Sequence, residues 1–209
     1  MLSALTIVIV LVFSAILHEI AHGYVAERLG DPTARLLGRL TLNPKNHIDP
    51  IMSIMLPLLL IFSGSPVIFG AAKPVPVDPF NLRDGRKDLA LVSLAGPLTN
   101  ILIAIITSFI LKLAFMFPIG IASILIPFLL VIVQINLLLA IFNLLPIPPL
   151  DGSKIFALLL PEKEANAYLS LGSIGFMILF FLLIMPIGGF SLGQLIFGLL
   201  IFSQKLLGL

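Results

Sequence analysis

Long apolar runs separated by short polar connections fill this chain. Five of them lie near 2–24, 88–116, 121–145, 169–186 and 191–207, the last two being shorter. One crossing of a bilayer takes about 20 apolar residues in a helix. The pattern predicts an all-α polytopic membrane protein with about five to six transmembrane helices, organised as a single membrane domain over residues 1–209.

A sixth apolar segment, 51–69, contains Pro57 and the interruption Gly64-Ser65-Pro66. Basic residues flank it within 27–49 and 73–88 and recur in 154–164 and at Lys205. The positive-inside rule places all of these in the cytoplasm, with the N-terminus outside and the C-terminus cytoplasmic. Because 51–69 is too short for two crossings, it is predicted to be a re-entrant or interfacial element that enters the membrane and returns.

Composition supports a membrane protein and narrows the possible chemistry. Of 209 residues, 59% are hydrophobic and 11% charged, with a mean hydropathy of +1.20. No cysteine is present, which excludes disulfides and thiolate metal ligands. No basic residue or small-residue cleavage site marks the first run as a removable signal peptide. The net charge of +2 gives no indication of a nucleic-acid partner. The hydrophobic composition predicts instead that the protein is surrounded by the lipid bilayer.

Two of the three histidines lie inside the first apolar run, in His18-Glu19-Ile20-Ala21-His22. A spacing of four puts both imidazoles on one helix face, one turn apart, where they can share a metal ion. Glu19 is placed to act on a metal-bound water, the arrangement known for zinc hydrolysis. The alternative is a pair of hydrogen-bonded interior histidines. The cost of ionisable groups inside a span favours the functional interpretation.

A third zinc ligand should be a carboxylate, since no further histidine lies on another span. Asp151 is the natural candidate, because the proline-rich stretch NLLPIPPLDG loosens the chain where the run 121–145 ends. Alternatively, Asp151 caps a helix over 152–160. If 51–69 returns to its starting face, Asp151 and the histidines share one membrane face, which predicts an active site near the cytoplasmic side.

These motifs resemble the site-2 protease family, intramembrane zinc metalloproteases of peptidase family M50, of the small prokaryotic type. The family signature pairs H-E-x-x-H with a distant N-x-x-P-x-x-x-x-D-G, here Asn143 to Gly152. AGPLTN resembles the family's G-x-x-x-N element, with Gly96 and Asn100. Relatives often carry a PDZ or CBS domain, and this sequence contains neither.

The resemblance implies a three-helix catalytic core over about 1–155, with additional spans over about 169–207. It implies one Zn²⁺ per chain held by His18, His22 and Asp151, with Glu19 as general base. It also implies that the substrates are transmembrane proteins, cleaved within or near their membrane segments during regulated intramembrane proteolysis.

Several other residues of these motifs and loops have more than one open interpretation. Asn100 and Asn143 bind substrate, support the metal ligands or only join helices, and Gly96 allows either close packing or a kink. Asn136 is expected to join helices. His47 is either a gating or supporting residue or part of an interfacial turn. The loops 39–43 and 69–77 are candidates for short β-like edges that hold an extended substrate.

Two other functions fit parts of the pattern. A catalytically silent relative would bind zinc and membrane clients without cleaving them, although the intact Glu19 argues against it. A metal transporter would carry polar residues along several spans, whereas 169–186 and 191–204 contain no charge.

Overall fold

The structure, a computed structural model, describes residues 4–64, 72–185, 189 and 191–209. Its α-helices are α1 (Ala4–Arg28), α2 (Thr33–Leu36), α3 (Leu56–Phe62), α4 (Gly85–Ala114), α5 (Ile119–Asn143), α6 (Asp151–Phe156), α7 (Glu162–Leu169), α8 (Gly172–Ile184) and α9 (Leu192–Leu206). Short 3₁₀ turns occupy Pro44–Asn46, Pro79–Asn81 and Ala157–Leu159, and a π-helical turn occupies Pro50–Met55. The described residues contain no β-strand, which confirms the all-α class.

Helices α1, α4 and α5 form the centre of the molecule, and each is long and apolar enough to cross a membrane. Helix α4 packs against both of the others, and the three alternate in direction. Small side chains let the helices approach closely. Close packing matters here because lipid is as apolar as the helices, so van der Waals contact rather than the hydrophobic effect holds them together. The buried small residues along α4 include Ala90, Ser93, Ala95, Gly96, Ala104, Ser108 and Ala114.

The described part of the segment predicted to be re-entrant is too short to cross a membrane. The turn at Pro50–Met55 and α3 together span 13 residues, about 20 Å of helix at 1.5 Å per residue, against about 30 Å of hydrocarbon. The Lys73 N–H donates to the His47 carbonyl at 2.7 Å, so residues on the two flanks of the segment lie together. The end of the predicted element, 65–69, lies outside the described residues.

The loops predicted to be β-like are irregular instead. Neither 39–43 nor the described part of 69–77 forms a strand, and residues 69–71 lie outside the described residues. The physical reason is plain in the second loop, because Pro74 and Pro76 have no N–H to donate to a ladder.

The C-terminal region departs from the predicted topology. Leu179, in α8, packs with Leu145 and Leu150 near Asp151, and so does Leu192, at the start of α9. Helix α8 is only 13 residues long, so it does not carry the chain across the bundle as predicted for 169–186.

Helix α9 then runs to the opposite end, where Leu209 packs against Leu111 and Ala114. The C-terminus and Asp151 therefore lie at opposite ends of the bundle. This differs from the arrangement expected from the charge pattern, which counted two crossings after 151 and placed both on one side, so the membrane side of the C-terminus stays a prediction.

Candidate metal centre

Helix α1 and the start of α6 bring together the three predicted ligands. His18 and His22 lie one turn apart, with their Nε2 atoms separated by 3.0 Å. Each Nε2 lies 3.2 Å from the same carboxylate oxygen, Oδ2 of Asp151. All three residues are buried, and the cluster is the one group of three possible metal ligands within the part of the chain that the structure describes.

The Nδ1 atom of each ring, on the side away from the cluster, faces a hydrogen-bond acceptor. His18 Nδ1–H donates to Asn100 Oδ1 at 2.6 Å, and His22 Nδ1–H donates to the Val92 carbonyl at 2.7 Å. With the proton held at Nδ1, each neutral ring directs the lone pair of Nε2 into the cluster. Two lone pairs and a carboxylate oxygen then face one another without a proton between them.

This donor set fits zinc. Two imidazole nitrogens and one carboxylate oxygen are a known ligand combination for a catalytic zinc site. Ligands held about 2.0–2.2 Å from a tetrahedral zinc lie roughly 3.3–3.6 Å apart, close to the 3.0–3.2 Å spacings here. A cation would remove the repulsion between the converging atoms, so the geometry favours a metal over a pair of structural histidines.

Asp151 does not act as a helix cap. It is the first residue of α6, and no side-chain cap hydrogen bond forms at that end of the helix. Its second oxygen, Oδ1, accepts from Lys154 Nζ at 3.1 Å instead. Lys154 was missed in the sequence analysis, although its position three residues after Asp151 places it on the same helix face.

Gly96 lies directly against the two imidazoles. A Cβ at this position would come within 2.5 Å of His18 Nε2 and 2.6 Å of His22 Nε2. The glycine therefore allows α4 to approach the histidines closely enough for their rings to fit between the helices. Of the two interpretations offered for Gly96, close packing is the one that the contacts support.

Asn100 and Asn136 form a buried chain of hydrogen bonds behind His18. Asn100 Nδ2 donates to Asn136 Oδ1 at 2.8 Å, and Asn136 Nδ2 donates to Ser14 Oγ at 2.9 Å. Both asparagines are fully buried. The first donation turns Asn100 Oδ1 towards His18, so the chain joins α1, α4 and α5 and also orients a candidate ligand. The sequence analysis expected only the joining role for Asn136.

Glu19 lies beside the cluster, on the wall of a cavity of about 530 Å³. Its Oε2 accepts the backbone N–H of Val75 at 2.7 Å. The cavity is also lined by His18, His22 and Asp151, so the candidate base and the candidate ligands share one space.

The two remaining predicted residues lie outside the cluster. Asn143 lines the cavity, but its Nδ2 donates to the Leu139 carbonyl of its own helix at 3.0 Å. His47 is fully buried in the loop before Pro50, where its Nε2 donates to the Thr41 carbonyl at 2.8 Å. It contacts the site only indirectly, through the Lys73 N–H that its own carbonyl accepts.

Comparisons with known proteins indicate the family of the chain. The model for Peptidase family M50 matches residues 115–186. The chain is 38% identical over 190 residues to "Putative zinc metalloprotease YwhC" of Bacillus subtilis, covering 89% of this chain and 83% of that protein. It is 34% identical over 172 residues to "Putative zinc metalloprotease Rip2" of Mycobacterium tuberculosis, covering 82% of this chain and 62% of the relative. No solved structure matches.

The chain belongs to peptidase family M50. It is therefore a membrane protein of a zinc metalloprotease family.

Proposed function

We propose that this protein is an intramembrane zinc metalloprotease that hydrolyses peptide bonds within or near transmembrane segments of other membrane proteins. The observation that carries the proposal is the convergence of His18 Nε2, His22 Nε2 and Asp151 Oδ2 beside Glu19 in one cavity. In this account His18, His22 and Asp151 hold one Zn²⁺ per chain.

The protein's own groups would supply binding and proton transfer. When bound, the zinc polarises a carbonyl and makes water a stronger nucleophile. Glu19 accepts a proton from the attacking water and later delivers it to the leaving amine, which balances the hydrolysis of the peptide bond. Asn100 and the Val92 carbonyl hold the imidazoles in the tautomer that leaves each Nε2 free for the metal.

The proposed substrate is a transmembrane protein that enters the cavity in an unwound form. A helical substrate hides its carbonyls in hydrogen bonds to the N–H four residues on, so it must be locally extended before attack. The proposed location is the cell membrane, with the N-terminus outside and the metal centre near the cytoplasmic side. Cleavage of a membrane segment at this site would be a step of regulated intramembrane proteolysis.

The test is cleavage of a single-span model substrate by purified wild-type protein and by Glu19→Gln. The variant keeps the size of the side chain and all three metal ligands, so it should bind zinc as wild type does while losing at least about 10²-fold in kcat. Equal cleavage by both forms would overturn the proposal.

The same preparation separates the two rival functions. A silent relative would bind zinc and client in both forms and cleave in neither. A metal transporter would move zinc across proteoliposome membranes, whereas a protease should produce no zinc flux.

A further inference from the structure

An irregular segment, residues 73–78, passes beside Glu19, and we call it the strap. Three of its backbone amides donate hydrogen bonds to the rest of the protein. The Lys73 N–H donates to the His47 carbonyl at 2.7 Å, and the Asp78 N–H donates to Asp31 Oδ2 at 2.7 Å. Between these two ends, the Val75 N–H donates to Glu19 Oε2, also at 2.7 Å.

Both ends of the strap are fixed by polar groups. Asp31 is fully buried, and it also accepts hydrogen bonds from Thr33 and from Asn81 Nδ2. At the other end, Arg39 Nη2 donates to the carbonyls of Lys73 at 2.8 Å and Pro74 at 3.2 Å. The strap is thus tied to the protein on either side of Val75.

The side chain of Val75 fixes its amide against α1. Val75 is buried, and a Cβ on Gly23 would come within 2.9 Å of Val75 Cγ1. Gly23 and Glu19 are four residues apart, so they lie on one face of α1. Val75 therefore packs on the helix one turn beyond the carboxylate that its N–H holds.

The sequence of the strap limits which amide can bind Glu19. Pro74 and Pro76 have no N–H and restrict the backbone to extended conformations on either side of Val75. Val75 is the one hydrogen-bond donor to Glu19 among the described residues, and the Val77 amide has no hydrogen-bond partner among them. A carboxylate with one oxygen held by an amide keeps the other oxygen free in the cavity.

We propose that the Val75 backbone amide positions Glu19 for proton transfer, and that Asp31, Arg39 and His47 act as positioning residues by fixing the strap. The inference rests on the proposed function of Glu19 as general base. A flexible glutamate side chain would otherwise sample several rotamers, and only some of them direct an oxygen at the reacting water. The amide selects one of these positions in advance of substrate binding.

Hydrogen exchange at single-amide resolution tests the contact without using activity. In purified wild-type protein, the Val75 amide should exchange slowly and the Val77 amide quickly. Glu19→Ala removes the acceptor and should speed exchange at Val75 by at least about tenfold, whereas Glu19→Gln keeps an acceptor oxygen and should change it by less than about threefold. Equal exchange at Val75 in Glu19→Ala and wild type would overturn the proposal.

The positioning role is tested by two variants of Val75. Val75→Pro removes the N–H, whereas Val75→Ala keeps it and removes only side-chain atoms. With zinc content equal in both, kcat should be at least about tenfold lower in Val75→Pro, with KM similar. Equal kcat values in the two variants would refute positioning while leaving the protease intact. Failure of the protease proposal itself would appear separately, as equal cleavage by wild type and Glu19→Gln.

Discussion

His18 Nδ1 and Asn100 Oδ1 are 2.6 Å apart, in a hydrogen bond that joins α1 to α4 inside the protein. Because the amide oxygen accepts the ring proton, it fixes both the tautomer and the orientation of a candidate zinc ligand. The site therefore depends on a residue that does not touch the metal position.

Removing this hydrogen bond should weaken zinc binding without abolishing the fold. Asn100→Ala leaves His18 free to rotate or to change tautomer, and losses of about 10–100-fold in metal affinity are typical for such supporting groups. Competition with a chelating dye would measure the affinity. Asn143→Ala is the control, since Asn143 bonds to its own helix, and it should bind zinc as wild type does. Matching affinities in Asn100→Ala and Asn143→Ala would contradict the assignment.

A single methyl group at position 96 should disrupt the same site. Gly96→Ala places a Cβ within 2.6 Å of both imidazoles. This is closer than a Cβ and another heavy atom can approach without bonding, so the rings or the helix must move. Zinc content after dialysis should fall well below that of wild type.

The control for this variant is Gly198→Ala, a glycine in α9 whose added Cβ would meet nothing within 4 Å. Zinc content should be unchanged there, since both variants make the same exchange within a helix. Full zinc occupancy in Gly96→Ala would show that the approach of α4 to the histidines is not needed.

Asp31 should make stability depend on acid pH. Burial would raise the pKa of its carboxyl, but hydrogen bonds from Thr33, Asn81 and the Asp78 amide outweigh burial and hold the pKa below its usual 3.8. A lowered pKa in the folded state means that the stabilisation is complete above about pH 4 and is lost as pH falls through the folded value.

Thermal unfolding in detergent from neutral pH down to pH 3 would measure this effect. Asp31→Asn should lower Tm most at neutral pH, and the difference from wild type should shrink below about pH 4. Asp84→Asn serves as control, because Asp84 pairs with Lys87 at the surface and such pairs contribute little. A Tm difference for Asp31→Asn that is constant over the whole range would contradict the prediction.

The packing of α9 predicts where the C-terminal residues lie relative to the metal centre. Since the chain has no cysteine, single cysteines can report the side of the membrane. The variants Lys205→Cys and Met116→Cys should react with an impermeant maleimide from one side of the membrane. The variant Lys163→Cys should react only from the other side. Labelling of Lys205→Cys and Lys163→Cys from the same side would restore the topology expected from charge alone.

The sequence was sufficient to predict that His18, His22 and Asp151 converge, because its signals are local and strong. His18 and His22 follow from helix periodicity, and the cost of ionisable groups in a span separates them from ordinary interior histidines. The prediction that 51–69 returns to its starting face rests on basic residues on both of its flanks, and the short described helix there is compatible with it.

Other features depend on tertiary contacts that no local pattern shows. The strap uses backbone amides, which every residue except proline carries, so nothing marks Val75 as the partner of Glu19. Asn136 resembles any polar residue in a span until Asn100 is placed beside it. The path of α8 was mispredicted because an apolar run of that length fits both a crossing and a helix packed at one end of the bundle.

The most direct test of the claim that His18, His22 and Asp151 hold one zinc ion is the amount of zinc bound per purified chain. Elemental analysis would measure it in wild type, His22→Ala, Asp151→Ala and Glu19→Gln. The account predicts about one zinc in wild type and in Glu19→Gln, and a large loss in the other two variants. Wild-type protein without zinc, or Asp151→Ala with a full complement of it, would contradict the account.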